Sequence, residues 1–515
     1  PADPAASVPD LLNIKTRLAK LAPSPVLQEK NRLLDRIVRQ CLGLKIETTL
    51  SRAEAVPGET LSLHEIASVT SGSVPVRWVA VRYPSLGTET AIGMDLAPGQ
   101  PAARDSTEAL PAGTPLTQPY WLREDRSQGM FSVRNPELIG RPENPSVMPL
   151  EQVFKVGDQT LVFPDEPVQI ARDSGQDSAR RLDAISPVSL KFTSQVGLFA
   201  PKATREVTVE LTAARPDLNG DLRLNAPKGW EVSPPRRSFN LALAGAHDRL
   251  TFSVTAPSQA TTATIAAQAQ ISGKVYDNEQ VRIDYPHIPS QLLQPPARLR
   301  AVCLDLAVRG HRVGYLPGAG DSVAEALKAM GYSVTTLTGS DLTRERLKGF
   351  DAVVIGVRAF NVRADLGPNT DALFGYVEAG GNLIEQYNRP NGLKTERFAP
   401  YDLHISSERV TDETAPVTFL VPDHPALNTP NKIAAADFEG WIQEQGIYYP
   451  DRWDDHFTPL LASHDPGEES LKGGLLVAPY GKGYFVYTGL VFFRQLPAGV
   501  PGAYRLFANL VSLGK

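Results

Sequence analysis

The stretch DFEGWIQEQGIYYPDRWDDHF, residues 437–457, is dense in acids and aromatics at once. Glu439 with Glu444, or Asp454 with Asp455, offers paired carboxylates of the kind that divide acid and base roles in glycoside chemistry, and His456 adds a metal-ligating nitrogen beside them. Trp441, Tyr448, Tyr449 and Trp453 offer ring faces on which a sugar could stack. The competing reading is structural: the aromatics anchor a long loop to a sheet, and the acids are solvated or cap local turns. Neighbouring carboxylates usually diverge and a lone histidine makes a weak metal set, so no catalytic or metal-ligating residue is assigned. Glu439, Trp441, Glu444, Trp453 and His456 are carried forward as ligand-binding candidates.

Five further candidates stand at the ends of apolar runs. DAVVIGV is followed by Arg358 and Asn361, and NLIEQY closes on Gln386, Tyr387 and Asn388. The carboxyl ends of parallel strands are where an open α/β sheet holds ligands. Other chemistries lack their residues. Gly318 and Gly320 follow a strand-like run, but a dinucleotide fingerprint wants a third glycine where Val323 stands, so a plain tight turn is expected. Cys303 lies inside an apolar run, which suits an inert buried thiol. A class I glutamine amidotransferase would present a cysteine at the turn 386–388, where none occurs, and the domain has no G-x-S-x-G elbow. Tyr120 and Trp121, in PYWLRED, could form a sugar platform, although packing against a sheet is the favoured expectation.

The elements that must position these side chains follow from periodicity. RVGYLPGAGDSVAEALKAMG, residues 312–331, reads as a buried strand, a glycine turn and a helix, with Ser322 and Glu325 at capping-box spacing. The unit then repeats: strand SVTTL, helix DLTRERLKGF, strand DAVVIGV, helix TDALFGYVEAGG, strand NLIEQY, and finally the hairpin GGLLVAPYGKGYFVYTG and a last helix. Alternating β and α units predict a doubly wound, flavodoxin-like parallel sheet over residues 298–515. Before it, alternating runs predict two antiparallel β-sandwiches of Ig/fibronectin-like kind, at 44–172 and 185–285, followed by a stiff proline-rich linker at 286–297. A helical lead occupies 1–43. Its apolar stripe must pack on the following sheet or belong against a domain outside this chain.

Composition sets outer limits. The 515 residues are 42% hydrophobic, too many for one core, and the net charge of −5 gives no basic face of the kind nucleic acid demands. No run approaches the roughly 18 apolar residues of a membrane helix, so neither nucleic acid nor a membrane span is expected. The opening PADPAASVPD lacks the charged and apolar regions of a secretory signal. Cys41 and Cys303 fall in different segments, which argues against a disulfide framework.

LKAMGYSVTTL, FDAVVIGVRAFNVR, GGNLIEQYN, RVTDETAPVTFL, HPALNTPNKI, DFEGWIQEQGIYYPDRWD and LLVAPYGKGYFVYTGLVFFRQLPAGVPGAYRLFANLVSLG together resemble the C-terminal part of large bacterial LmbE/PIG-L-type deacetylases. Residues 118–145, from QPYWLRED through NPELIGRPENP, resemble the middle of the same proteins. The resemblance implies a ThuA-like, amidotransferase-like C-terminal domain without its nucleophile. It implies a preceding domain that carries zinc and the deacetylation chemistry on a His-Pro-Asp-Asp motif. That motif is absent here; PDHP, residues 422–425, reverses its elements, so no zinc ligand or other cofactor is transferred to this chain. The expectation is a non-catalytic accessory region that binds or positions a glycan or amino sugar, partnered by a deacetylase domain or another envelope protein, in an extracytoplasmic setting. The alternatives are a sugar-acting hydrolase or isomerase working through Glu439, Glu444 or His456, and a structural envelope or assembly protein.

Overall fold

A computed structural model describes residues 3–125, 127, 129–173 and 176–515. The chain is a β-rich, multidomain protein with its strands divided among several sheets.

The helical lead does have a partner. Val8, Val38 and Leu42 are buried in the core of the first sandwich, with Leu11, Leu12 and Cys41 packed on its edge. Pro25–Cys41 starts on Ser24, whose hydroxyl accepts from the Leu27 amide, and presents Leu34 and Val38 inward. Val26, Leu33 and Ile37 remain exposed on the outer side. The sandwich itself pairs a five-stranded sheet with a four-stranded one. In Thr60–Ser68 every second side chain points inward, the period that half-buried strands require. Between the sheets Trp78 donates to Gln152 at 3.0 Å, and Gln152 donates to Asp165 at 3.2 Å, so this core carries a satisfied polar chain.

The second sandwich packs a four-stranded against a six-stranded sheet around an apolar core. Trp230 sits in that core, edge-on to Phe199 at 5.0 Å. One element moves across the expected boundary. Arg298–Cys303, read from sequence as the first piece of the α/β domain, pairs with Val196–Phe199 and Thr261–Ile271 in the sandwich's larger sheet. Its sequence misleads because its second half is covered on both faces: Leu299, Ala301 and Cys303 enter the sandwich core, while Val302, following the exposed Arg298 and Arg300 on the other face, enters the core of the domain that follows. A strand buried on both sides loses its alternation and reads like one from a parallel sheet. Cys303 is buried there, as an inert thiol should be, and burial raises its pKa.

The proline-rich segment is also more than a connector. Val281–Ile283 and Gln291–Leu293 form a hairpin. Beyond it the buried Gln294 accepts from the Ser186 amide at 3.0 Å and donates to the carbonyls of Thr117 and Ala184 at 2.9 and 2.8 Å, knitting both sandwiches to this segment.

The last domain is built on seven strands in the order Ser333–Thr336, Arg312–Leu316, Ala352–Ile355, Asn382–Gln386, Gly483–Thr488, Leu475–Tyr480 and Thr458–Pro459. The first five run parallel and the next turns antiparallel. Helices cover both faces. Val323–Ala329 and Pro501–Ser512 share one core with Val313, Val354 and Ile384, whereas Arg344–Leu347 and Thr370–Glu378 share the other with Val353, Leu383 and Phe485. The capping box expected at Ser322 and Glu325 does not form. Asp321 takes over, accepting from the Val323 amide at 3.0 Å, and Ser322 makes no cap bond.

Candidate functional site

The parallel strands Ala352–Ile355 and Asn382–Gln386 end side by side, and the chain after each bends sharply. Arg358 adopts φ 56° and ψ 25°, the left-handed region, just before the short helix Ala359–Val362. Its amide donates to the Tyr387 carbonyl at 2.8 Å, and its Nε is buried with no hydrogen-bond partner among the described residues. Tyr387, only 8% exposed, stacks on Tyr448 with centroids 5.7 Å apart and lies 5.4 Å from Phe493. Tyr448 is itself left-handed, at φ 52°, as is Gln443 at φ 67°. A bulky residue at positive φ is an energetic outlier that persists only where its surroundings hold it.

Arginines surround this aromatic group. Arg409 lies 5.9 Å from the Tyr448 ring and Arg494 4.9 Å from that of Phe493, with Arg494 Nε held by Glu444 at 3.0 Å. Burial pushes the Tyr387 hydroxyl pKa up, while the charges of Arg358 and Arg494 act against that rise.

Other residues at these strand ends hold the backbone. Asn361 donates to the carbonyls of Arg389 and Asn391 and accepts from the Arg389 amide, so it clamps a loop. Asn388 is buried, accepting from the Phe360 amide at 3.0 Å and donating to Glu385 at 2.7 Å. Gln386 is buried too, donating to the Ile355 carbonyl at 3.3 Å. Glu385 is fully buried, with one oxygen held by Asn388 and the other without a partner, and desolvation raises its carboxyl well above the ordinary range. The sequence hid Glu385 inside an apolar run, where a lone acid in a buried strand was the only signal. Arg409, Phe493 and Arg494 were equally hidden, because they reach the site from distant segments.

The acidic and aromatic stretch divides between two ends of the sheet. Gly446–Trp453 starts beside the carboxyl ends, where Ile447 donates to the Gly489 carbonyl, and runs antiparallel to Leu403–Val410. Trp441, 3% exposed, is packed between Phe438 and Phe492 and donates from Nε1 to the Asp437 carbonyl, so its faces are taken up by the core. Trp453 is half-buried at the far end and packs against the opposite core. His456 lies beyond it, exposed, with Nδ1 2.5 Å from Asp454 and its ring stacked on Tyr401 at 4.2 Å. Glu439 is exposed. Glu444 pairs with Arg494 and His456 with Asp454, so Glu439, Glu444 and His456 do not converge. Among the described residues no group of three or more His, Cys, Asp and Glu side chains is disposed to hold a metal ion, and zinc finds no fitting donor set.

The glycine turn after Arg312–Leu316 is filled by protein. A Cβ on Gly318 would lie 2.1 Å from the Val357 carbonyl oxygen, and the Ala319 amide donates to that same oxygen at 2.8 Å. Asp321 completes the joint, accepting from the Tyr315 hydroxyl and the Val357 amide. Glycine is needed here for close backbone approach.

No family model and no curated protein matches the chain. Among solved structures, Salmonella alpha-2-macroglobulin reacted with methylamine aligns over 50% of this chain and 16% of that one, at 15% identity and a TM-score of 0.19. E. coli alpha-2-macroglobulin in its native conformation aligns over 50% and 17%, at 12% identity and a TM-score of 0.17. The C-terminal domain of the Streptococcus pyogenes antigen I/II-family protein AspA is covered to 99% by half of this chain, at 7% identity and a TM-score of 0.21. Similarities this low identify neither fold nor function.

Proposed function

We propose that the chain is a non-catalytic, extracytoplasmic accessory region of an LmbE/PIG-L-type deacetylase system, in which a flavodoxin-like, ThuA-like domain binds or positions a glycan or amino sugar. The observation that carries this reading is the concentration of strain. Arg358, Gln443 and Tyr448, three of the six non-glycine residues at positive φ among those described, lie in the segments that form one end of the parallel sheet. Backbone strain held at one place is characteristic of ligand sites. The strand order supports the fold assignment, since the first four strands in chain order lie 2-1-3-4, as in flavodoxin-type sheets. The residue presented at the strained strand end is an arginine, which can bind but offers no nucleophile.

Calorimetry with amino-sugar oligomers tests this. Binding that Tyr448→Ala and Arg358→Gln each weaken roughly tenfold is expected, the equivalent of about 1.4 kcal/mol. Absence of binding, or binding indifferent to both substitutions, would overturn the reading.

A further inference from the structure

A second recess lies in another part of the molecule. A cleft of about 560 Å³ opens where the first sandwich meets the segment returning from the second, lined by the 179–183 and 288–292 segments and by Trp121. Ligand sites favour domain junctions and volumes of this order. The aromatic pair at its wall divides its duties. Tyr120 is buried, its hydroxyl accepting from the Gly140 amide at 3.2 Å and donating to the Arg141 carbonyl at 3.3 Å. Trp121, edge-on to Tyr120 at 4.8 Å, is half-buried and is the one aromatic side chain lining the cleft among the described residues.

Charge decides the kind of ligand. Arg123, Arg180, Arg181 and Arg282 line the cleft against two carboxylates, Glu143 and Asp183. Three of these guanidiniums are held: Arg180 by Glu54 at 3.3 Å, Arg181 by Glu143 and Glu166 at 3.1 and 2.9 Å, and Arg282 by Glu54 at 2.6 Å. Arg123 has no carboxylate partner among the described residues, and its one side-chain hydrogen bond is a long one, 3.4 Å, from Nε to the Gln118 carbonyl. A planar donor fork without an acid stands beside an open indole.

We propose that this cleft binds an acidic saccharide, a pyranose whose apolar ring face stacks on Trp121 and whose carboxylate is received by Arg123. A guanidinium matches a carboxylate in two parallel, charge-assisted hydrogen bonds, whereas the hydroxyls of a neutral sugar can accept from it only without the opposite charge. The site is distinct from the strand ends and stands whether or not they bind amino sugars.

The test is calorimetry on the full chain with a galacturonic acid trisaccharide and the neutral galactose trisaccharide. The acidic sugar is expected to bind, about tenfold or more tighter than the neutral one and more weakly as salt rises. Trp121→Ala and Arg123→Gln should each lower its affinity about tenfold, and Arg123→Lys should keep part of it. Tyr448→Ala should leave it unchanged. The proposal is overturned if the acidic sugar fails to bind, if the neutral one binds as tightly, if Arg123→Gln in a protein of unaltered melting temperature has no effect, or if Tyr448→Ala abolishes binding.

Discussion

The two ends of Gly446–Trp453 use similar residues in different ways. At its start, Tyr448 stacks on Tyr387 amid Arg358, Arg409 and Arg494, on backbone held in left-handed conformations. Past its end, His456 stacks on Tyr401, and Tyr401 donates to the Pro479 carbonyl at 3.0 Å. The first cluster concentrates strain and positive charge, and the second satisfies its polar groups locally at the surface. Aromatic density in a sequence therefore does not mark a site. What separates the two ends is whether the surroundings force residues out of comfortable geometry.

The largest effect that sharpens this contrast is on stability. Trp441→Ala, which empties a core position supporting the first end, should cost about 3–5 kcal/mol in denaturant unfolding. Trp453→Ala, at the half-buried second end, should cost about 1–2 kcal/mol. Equal costs would remove the distinction.

Glu385 supplies the next test, because it lies beneath the first end. Its pKa in the folded protein is raised well above the ordinary 4.5. Between those two values the unfolded chain has given up a proton that the folded chain keeps. Its contribution to stability is thus fully present below about pH 4.5 and declines as pH rises, by at most about 1.4 kcal/mol per pH unit. Glu385→Gln should flatten the pH dependence of unfolding above pH 5, and an unchanged slope would place the proton elsewhere.

Smaller effects follow from strain. Arg358→Gly relieves a left-handed residue and should leave stability unchanged or raise it by about 1 kcal/mol while weakening amino-sugar binding. At the other end, His456→Ala should leave both binding and the melting temperature, within about 2 °C, as they were.

How much of this was legible in the sequence differs by region for physical reasons. The sandwich strands announce themselves where one face is wet, as in the first half of Thr60–Ser68, although the inward position of Glu65 there is occupied by an acid paired with Arg104 and Tyr83 and breaks the apolar pattern. Arg298–Cys303 is covered on both faces only over residues 301–303, where its alternation is lost, and so it reads as part of the domain that follows. The strand-end candidates Arg358 and Tyr387 were legible, since apolar runs ending in polar residues fix where parallel strands stop. Arg409 and Arg494 were not, because their proximity to Tyr387 comes from tertiary folding of segments far apart in the chain. Trp441 was misleading in the opposite sense, since nothing in its neighbours Gly440 and Ile442 tells a buried indole from an open one.

The most direct measurement is hydrogen exchange on the full chain with and without an amino-sugar oligomer. Slowed exchange at residues 356–361 and 444–449, with none at 396–404 or 454–457, is the expected result. Protection confined to 396–404 and 454–457, or absent from both ends, would contradict the assignment of ligand binding to the carboxyl ends of the parallel strands.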